Sequence, residues 1–112
     1  MKIGFDWGGV LDEFGEQFAQ VAGALKAGDH EIYVVSAINA GEEEIRKQQV
    51  ESIMPGVCTE TVTLVATWEN QPKAKLVACQ EKGIEWFFDD REDITELLRR
   101  NGIMAFTVKR LG

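Results

Sequence analysis

Apolar residues fall in short runs and helical stripes that alternate along the chain. Ile3-Gly4-Phe5 is a short run that stops at Asp6, and a Gly8-Gly9 pair follows at once. That is the pattern of a buried strand handing over to a turn. Phe14, Phe18, Val21, Ala22 and Leu25 then recur at i, i+4, i+7, i+8 and i+11, which predicts a helix over about 13–27 with one apolar face. Lys26 suits the negative end of that helix, and Gly28 offers a left-handed cap. Ile32 to Val35, β-branched and aromatic, predicts a second strand ending at Ser36.

Glu42, Glu43 and Glu44 after Gly41 complement the dipole of a second helix, which runs to about Ile53 before Pro55-Gly56 stops it. Thr61 to Ala66 predicts a third strand. After a loop over 68–71, Pro72 opens a third helix at a position that tolerates its missing N–H, and Gly83 ends it. Glu85-Trp86-Phe87-Phe88-Asp89-Asp90 repeats the first motif, an apolar run ending in acids. Ile94, Leu97 and Leu98 mark a fourth helix, closed by Arg99, Arg100 and Asn101-Gly102, and residues 103–108 make a fifth strand. Strand and helix alternate throughout, and every connection is long enough for a right-handed crossover. The expected fold is therefore α/β, one parallel sheet with helices on both faces.

The 112 residues suit one domain with a proper core, expected to span residues 1–112. No apolar run reaches the roughly 18 residues of a membrane span, and the amino terminus lacks a signal pattern, so the expectation is a cytoplasmic protein without membrane partners. Net charge is −7: residues 1–56 carry 4 basic against 10 acidic groups, and residues 57–112 carry 8 against 9. An acidic first half argues against a broad nucleic-acid surface and leaves room at most for a local patch. Cys58 and Cys79 form no metal-ligand spacing and read as reduced thiols; His30, the sole histidine, sits in a turn and reads as a surface residue.

The chemistry gathers at the strand ends. Asp6, Ser36, Lys73, Lys75, Asp89 and Asp90 all lie at or just beyond carboxyl ends of strands, which in a parallel sheet share one edge. Adjacent carboxylates repel unless a cation or proton intervenes, and a cage of carboxylates suits a hard cation such as Mg²⁺. Lys73 and Lys75 stand in a first helical turn, against the dipole preference for acids, which hints at a task for one of them. A lysine and a hydroxyl beside the acids suit a phosphoryl group, and an Asp can then act as nucleophile.

In these motifs the sequence resembles the haloacid dehalogenase superfamily, mostly phosphatases and phosphotransferases that use an Asp nucleophile and Mg²⁺. The match is Ile3-Gly4-Phe5-Asp6-Trp7-Gly8-Gly9-Val10-Leu11 to the first motif, Tyr33-Val34-Val35-Ser36 to the second and Phe87-Phe88-Asp89-Asp90-Arg91 to the fourth. The third motif is a lysine, and its spacing to Asp89 favours Lys75 over Lys73. The resemblance implies the sheet order 5-4-1-2-3 of a Rossmann-like core. It also implies Asp6 as nucleophile and Mg²⁺ ligand, the Gly8 carbonyl, Asp89 and Asp90 as further ligands, and Ser36 and Lys75 holding the phosphoryl oxygens. The expected activity is hydrolysis of a phosphate monoester, small or carried on a larger molecule, through an aspartyl-phosphate.

One departure stands out. The family's phosphatases carry a second Asp two residues after the nucleophile, as general acid and base, and here that position is Gly8. Its loss should slow ester hydrolysis by roughly 10²- to 10⁴-fold, so a weakly active or inactive module that binds phosphate or metal is the alternative. Asp12 is a conceivable substitute acid, with loop capping as its ordinary reading. The chain has no room for the family's cap domain, and by resemblance capless members often act on extended substrates. A receiver-type phospho-acceptor domain has a similar size and alternation but needs an acceptor Asp after the third strand, where this chain has Thr67-Trp68.

Overall fold

The computed structural model describes residues 1–109. Its elements alternate as expected: β1 (Lys2–Phe5), a run of turns over Trp7–Leu11, α1 (Asp12–Ala27), β2 (Glu31–Ile38), α2 (Glu43–Ile53), β3 (Glu60–Val65), α3 (Gln71–Lys82), β4 (Trp86–Asp89), α4 (Glu92–Arg100) and β5 (Met104–Thr107). All pairings are parallel and the sheet order is β3-β2-β1-β4-β5, the expected order read in reverse. β1 and β4 are neighbours, with Phe5 opposite Phe88.

The two-residue period of the strands splits the core into two layers. Ile3 and Phe5 of β1 join Ile32 and Val34 of β2, and pack with Ala22 of α1 and Val50 of α2. Tyr33, Val35 and Phe87 point to the opposite face and pack with Ala78 and Cys79 of α3 and with Ile94 and Leu98 of α4. Stacked rings tie β1, β4 and β5 together: Phe5 to Phe88 at 5.0 Å between centroids and Phe88 to Phe106 at 4.9 Å.

Three features differ from the sequence reading. β2 continues past Ser36 to Ile38, because Ser36, Ala37 and Ile38 find parallel partners in Thr63, Leu64 and Val65. Val21, placed on the apolar face of α1, is 45% exposed; the helix closes its stripe with Phe18, Ala22 and Leu25 instead. The chain also bends more gradually after Asp6 than a simple Gly-Gly turn, with a left-handed Gly9 at φ 72°. No helix among the described residues is long and apolar enough to cross a membrane.

Candidate active site

Strand parity decides which side chains meet. Asp6 has extended backbone angles and continues β1, so it turns away from Phe5 towards the α3 face. Asp89 shares parity with Phe87 and turns the same way. Lys75 lies three and four residues before Ala78 and Cys79, on the buried stripe of α3, and is itself buried. Its ammonium therefore meets both acids, at 2.9 Å from Asp6 Oδ1 and 2.7 Å from Asp89 Oδ2. Lys73, two residues away on the helix, faces elsewhere and lines a separate groove with Leu64 and Val77. Of the two lysines, the structure brings only Lys75 to the acids.

Backbone donors hold the carboxylates in place. Trp7 N–H donates to Asp6 Oδ1 at 2.9 Å, and Arg91 N–H donates to Asp89 Oδ1 at 3.0 Å. Both contacts of Asp6 fall on one oxygen, so Oδ2 has lone pairs to offer a ligand or an electrophile. Asp90 completes the group: Asp6, Asp89 and Asp90 each present an oxygen within 4.8 Å of the others. Gly9 lets Asp90 approach, since a Cβ on Gly9 would lie 2.2 Å from Asp90 Oδ2.

The electrostatics follow from burial. Loss of hydration pushes the Asp6 carboxyl up from 3.8 to about 7; Lys75 pulls it down, while Asp89 and Asp90 add to the rise. Burial lowers the affinity of Lys75 for its proton, but the two carboxylates outweigh this and hold the ammonium above its ordinary value. Burial, then the Asp89 charge, raises Asp90. With all four groups ionised, three carboxylates face one ammonium and leave two negative charges, which one divalent cation would neutralise. An all-oxygen set of carboxylates is the donor chemistry Mg²⁺ prefers, so these residues fit such an ion, with Asp6, Asp89 and Asp90 able to hold it.

Ser36 lies elsewhere than the expected phosphoryl subsite. It shares parity with Ile32 and Val34, points to the α2 face, is fully buried, and accepts a hydrogen bond from Arg46 Nη1. It does not line the crevice above Asp6. That crevice, about 360 Å³, is lined by Asp6, Trp7, Gly8, Arg46, Lys75 and Asp90, with Ala37, Trp68 and Arg91 around them. Gly8 is exposed, with φ −65° and ψ 126°, and a Cβ there would meet nothing within 4 Å. Asp12 also borders the crevice but accepts from Gly9 N–H at 2.7 Å, the capping role of its ordinary reading.

Sequence reasoning passed over two arginines and two tryptophans. Arg46 sits in α2 behind the acids of its first turn, and its guanidinium lies 5.2 Å from the Trp7 ring centroid. Arg91 stacks on Trp68 at 3.6 Å and donates to the Trp68 carbonyl at 2.9 Å. Position beside the two acid motifs was the available signal for Trp7 and Arg91; none marked Arg46 or Trp68.

No family model matches the chain, and no curated protein matches it. Among solved structures it is similar to one chain of "Structure of Pnkp1/Rnl/Hen1 complex", with 18% identity and a TM-score of 0.66. The match covers 96% of this chain and 45% of that one, so this chain spans less than half of its neighbour's length. At that identity the likeness establishes a shared fold: a Rossmann-like α/β domain with a parallel five-stranded sheet.

Proposed function

We propose that the chain is a Mg²⁺-dependent hydrolase of the haloacid dehalogenase type, without a cap, acting on a phosphate monoester. The observation that carries this reading is the buried Asp6–Lys75–Asp89 group at the ends of adjacent strands, opening on a crevice that Asp90 shares. Asp6 Oδ2 attacks phosphorus; the P–O bond to the alcohol breaks and an aspartyl-phosphate forms. Water then attacks that phosphorus, releasing phosphate and the Asp6 carboxylate. Lys75 holds Asp6 and Asp89 in register for both steps. Asp6, Asp89, Asp90 and the Gly8 carbonyl would hold Mg²⁺, which would favour ionised Asp6 and neutralise phosphoryl charge.

Gly8 supports a second reading, a module that binds phosphate or metal and turns over poorly. Release of nitrophenol from an aryl phosphate, measured with Mg²⁺, with EDTA and in Asp6→Asn, decides between them. The enzyme requires Mg²⁺-dependent release that EDTA and Asp6→Asn abolish. Absence of release together with a Mg²⁺-dependent rise in melting temperature, lost in Asp89→Asn, establishes the binding module.

A further inference from the structure

We propose that the crevice takes a nucleoside monophosphate, its base stacked on Trp68 and its phosphate beside Arg46. This rests on the phosphate-site reading above and adds the identity of the organic group.

Trp68 is unusual for a loop tryptophan. It is 64% exposed at the crevice mouth, yet it is not loosely held. The Arg91 guanidinium covers it at 3.6 Å from the ring centroid and bonds its carbonyl. That guanidinium is itself fixed by Asp93, with Nε to Oδ1 at 3.0 Å and Nη2 to Oδ2 at 2.6 Å. One indole face is thus covered by a guanidinium that Asp93 engages, while the residue as a whole stays 64% exposed. A fixed aromatic face of this kind suits stacking by a flat ring, because little side-chain freedom remains to be lost on binding. Any base can use it, since every base offers a π-face.

The phosphate end follows from how the cations are matched. Lys75 is engaged by two carboxylates, and Arg91 by Asp93. Arg46 instead bonds the neutral Ser36 hydroxyl and Gln49 side-chain oxygen and lies against the Trp7 ring. Its charge is thereby presented to the crevice without neutralisation by these partners, and a planar guanidinium is well suited to phosphate oxygens. Arg46 and Trp68 line the same crevice, so one ligand can engage both. A volume of about 360 Å³ suits a mononucleotide, and a net charge of −7 disfavours a long polyanion running over the surface.

Calorimetric titration with Mg²⁺ tests this on the native protein, using AMP, ribose 5-phosphate and a short single strand ending in the same adenosine phosphate. AMP should bind roughly tenfold more tightly than ribose 5-phosphate, the contribution expected of one stacked base. Trp68→Ala should bring that ratio to about one, and Trp68→Phe should retain most of it. Trp68 is exposed and outside the core, and an unchanged melting temperature checks that each variant keeps the fold. Equal binding of AMP and ribose 5-phosphate by the native protein overturns this inference and leaves the phosphate site standing. Failure of both to bind overturns the two together. A strand end that binds more tightly than AMP overturns the assignment to a mononucleotide.

Discussion

On the hydrolase reading proposed above, replacing Gly8 by Asp supplies a carboxylate where the phosphatases that the sequence resembles carry their general acid and base. The backbone at Gly8, φ −65° and ψ 126°, is ordinary for an L residue, and a Cβ has open space around it. The left-handed glycine is the next one, Gly9, where a Cβ would also strike Asp90. Gly8→Asp should therefore fold, with a gain of about 0.4–1 kcal/mol from a stiffer unfolded chain, offset by repulsion from Asp6, Asp12 and Asp90, which border the same crevice. Its melting temperature should stay within a few degrees of the parent. Turnover should rise by roughly 10²- to 10⁴-fold on alkyl phosphates, whose leaving oxygen needs a proton. Aryl phosphates should gain less in the first step, because phenolate leaves unaided; in the parent they should show a burst of phenol followed by slow release, as water attacks the intermediate without a base. Steady-state and pre-steady-state release from nitrophenyl and alkyl phosphates measure both effects. A folded, Mg²⁺-binding Gly8→Asp with no gain on any phosphate ester would refute the missing-acid account and leave the binding module. Gly9→Ala serves as the contrasting control: it should lose stability and Mg²⁺ binding together.

Two further outcomes concern the buried charges. Lys75→Met leaves Asp6 and Asp89 facing each other without their ammonium and should cost about 3–5 kcal/mol in urea unfolding with EDTA, with part of it recovered in Mg²⁺; an unchanged midpoint would show that Lys75 does not balance these acids. Burial pushes the Cys79 thiol from 9.0 to about 12, so the unfolded chain binds fewer protons than the folded one across that range. Stability contributed by Cys79 is full below pH 9 and falls as pH rises towards 12; Cys79→Ala should flatten this alkaline loss, and a native thiol that reacts rapidly with a disulfide reagent at pH 8 would contradict its burial.

The sheet and the acids were legible because their signals are local. An apolar run ending in a carboxylate occurs twice, at Asp6 and Asp89, and the alternation of strand and helix then places both on one edge. Lys75 was legible only through the resemblance, whose spacing to Asp89 favoured it over Lys73; its place on the buried stripe of α3 with Ala78 and Cys79 is seen in the structure. Ser36 was harder. Its type and position suggested a strand end, but the length of β2 is set by pairing with β3, and parity then sends its hydroxyl to α2. Arg46 and Trp68 were not legible at all. Arg46 reaches Ser36 from ten residues away and Trp68 meets Arg91 across 23, and neither contact leaves a pattern in the intervening residues.

Folding alone gives little reason for the arrangement around Lys75. Charged groups taken out of water lose hydration worth several kcal/mol each, and a well-packed apolar trio of similar volume is often as stable or more so. The same sheet shows that alternative in its own core, where Phe5, Phe87 and Phe88 occupy neighbouring positions of β1 and β4. One residue beyond Phe5 and Phe88 the chemistry changes to Asp6 and Asp89, and the helix packed there supplies a lysine rather than an aliphatic side chain. Asp90 then adds a third carboxylate to a pair that Lys75 only half neutralises, and it does so beside a glycine whose missing Cβ is what admits it. Packing has no use for that excess negative charge. The cation site proposed above would use it, and that one site would account for the third acid, the glycine and the crevice position together.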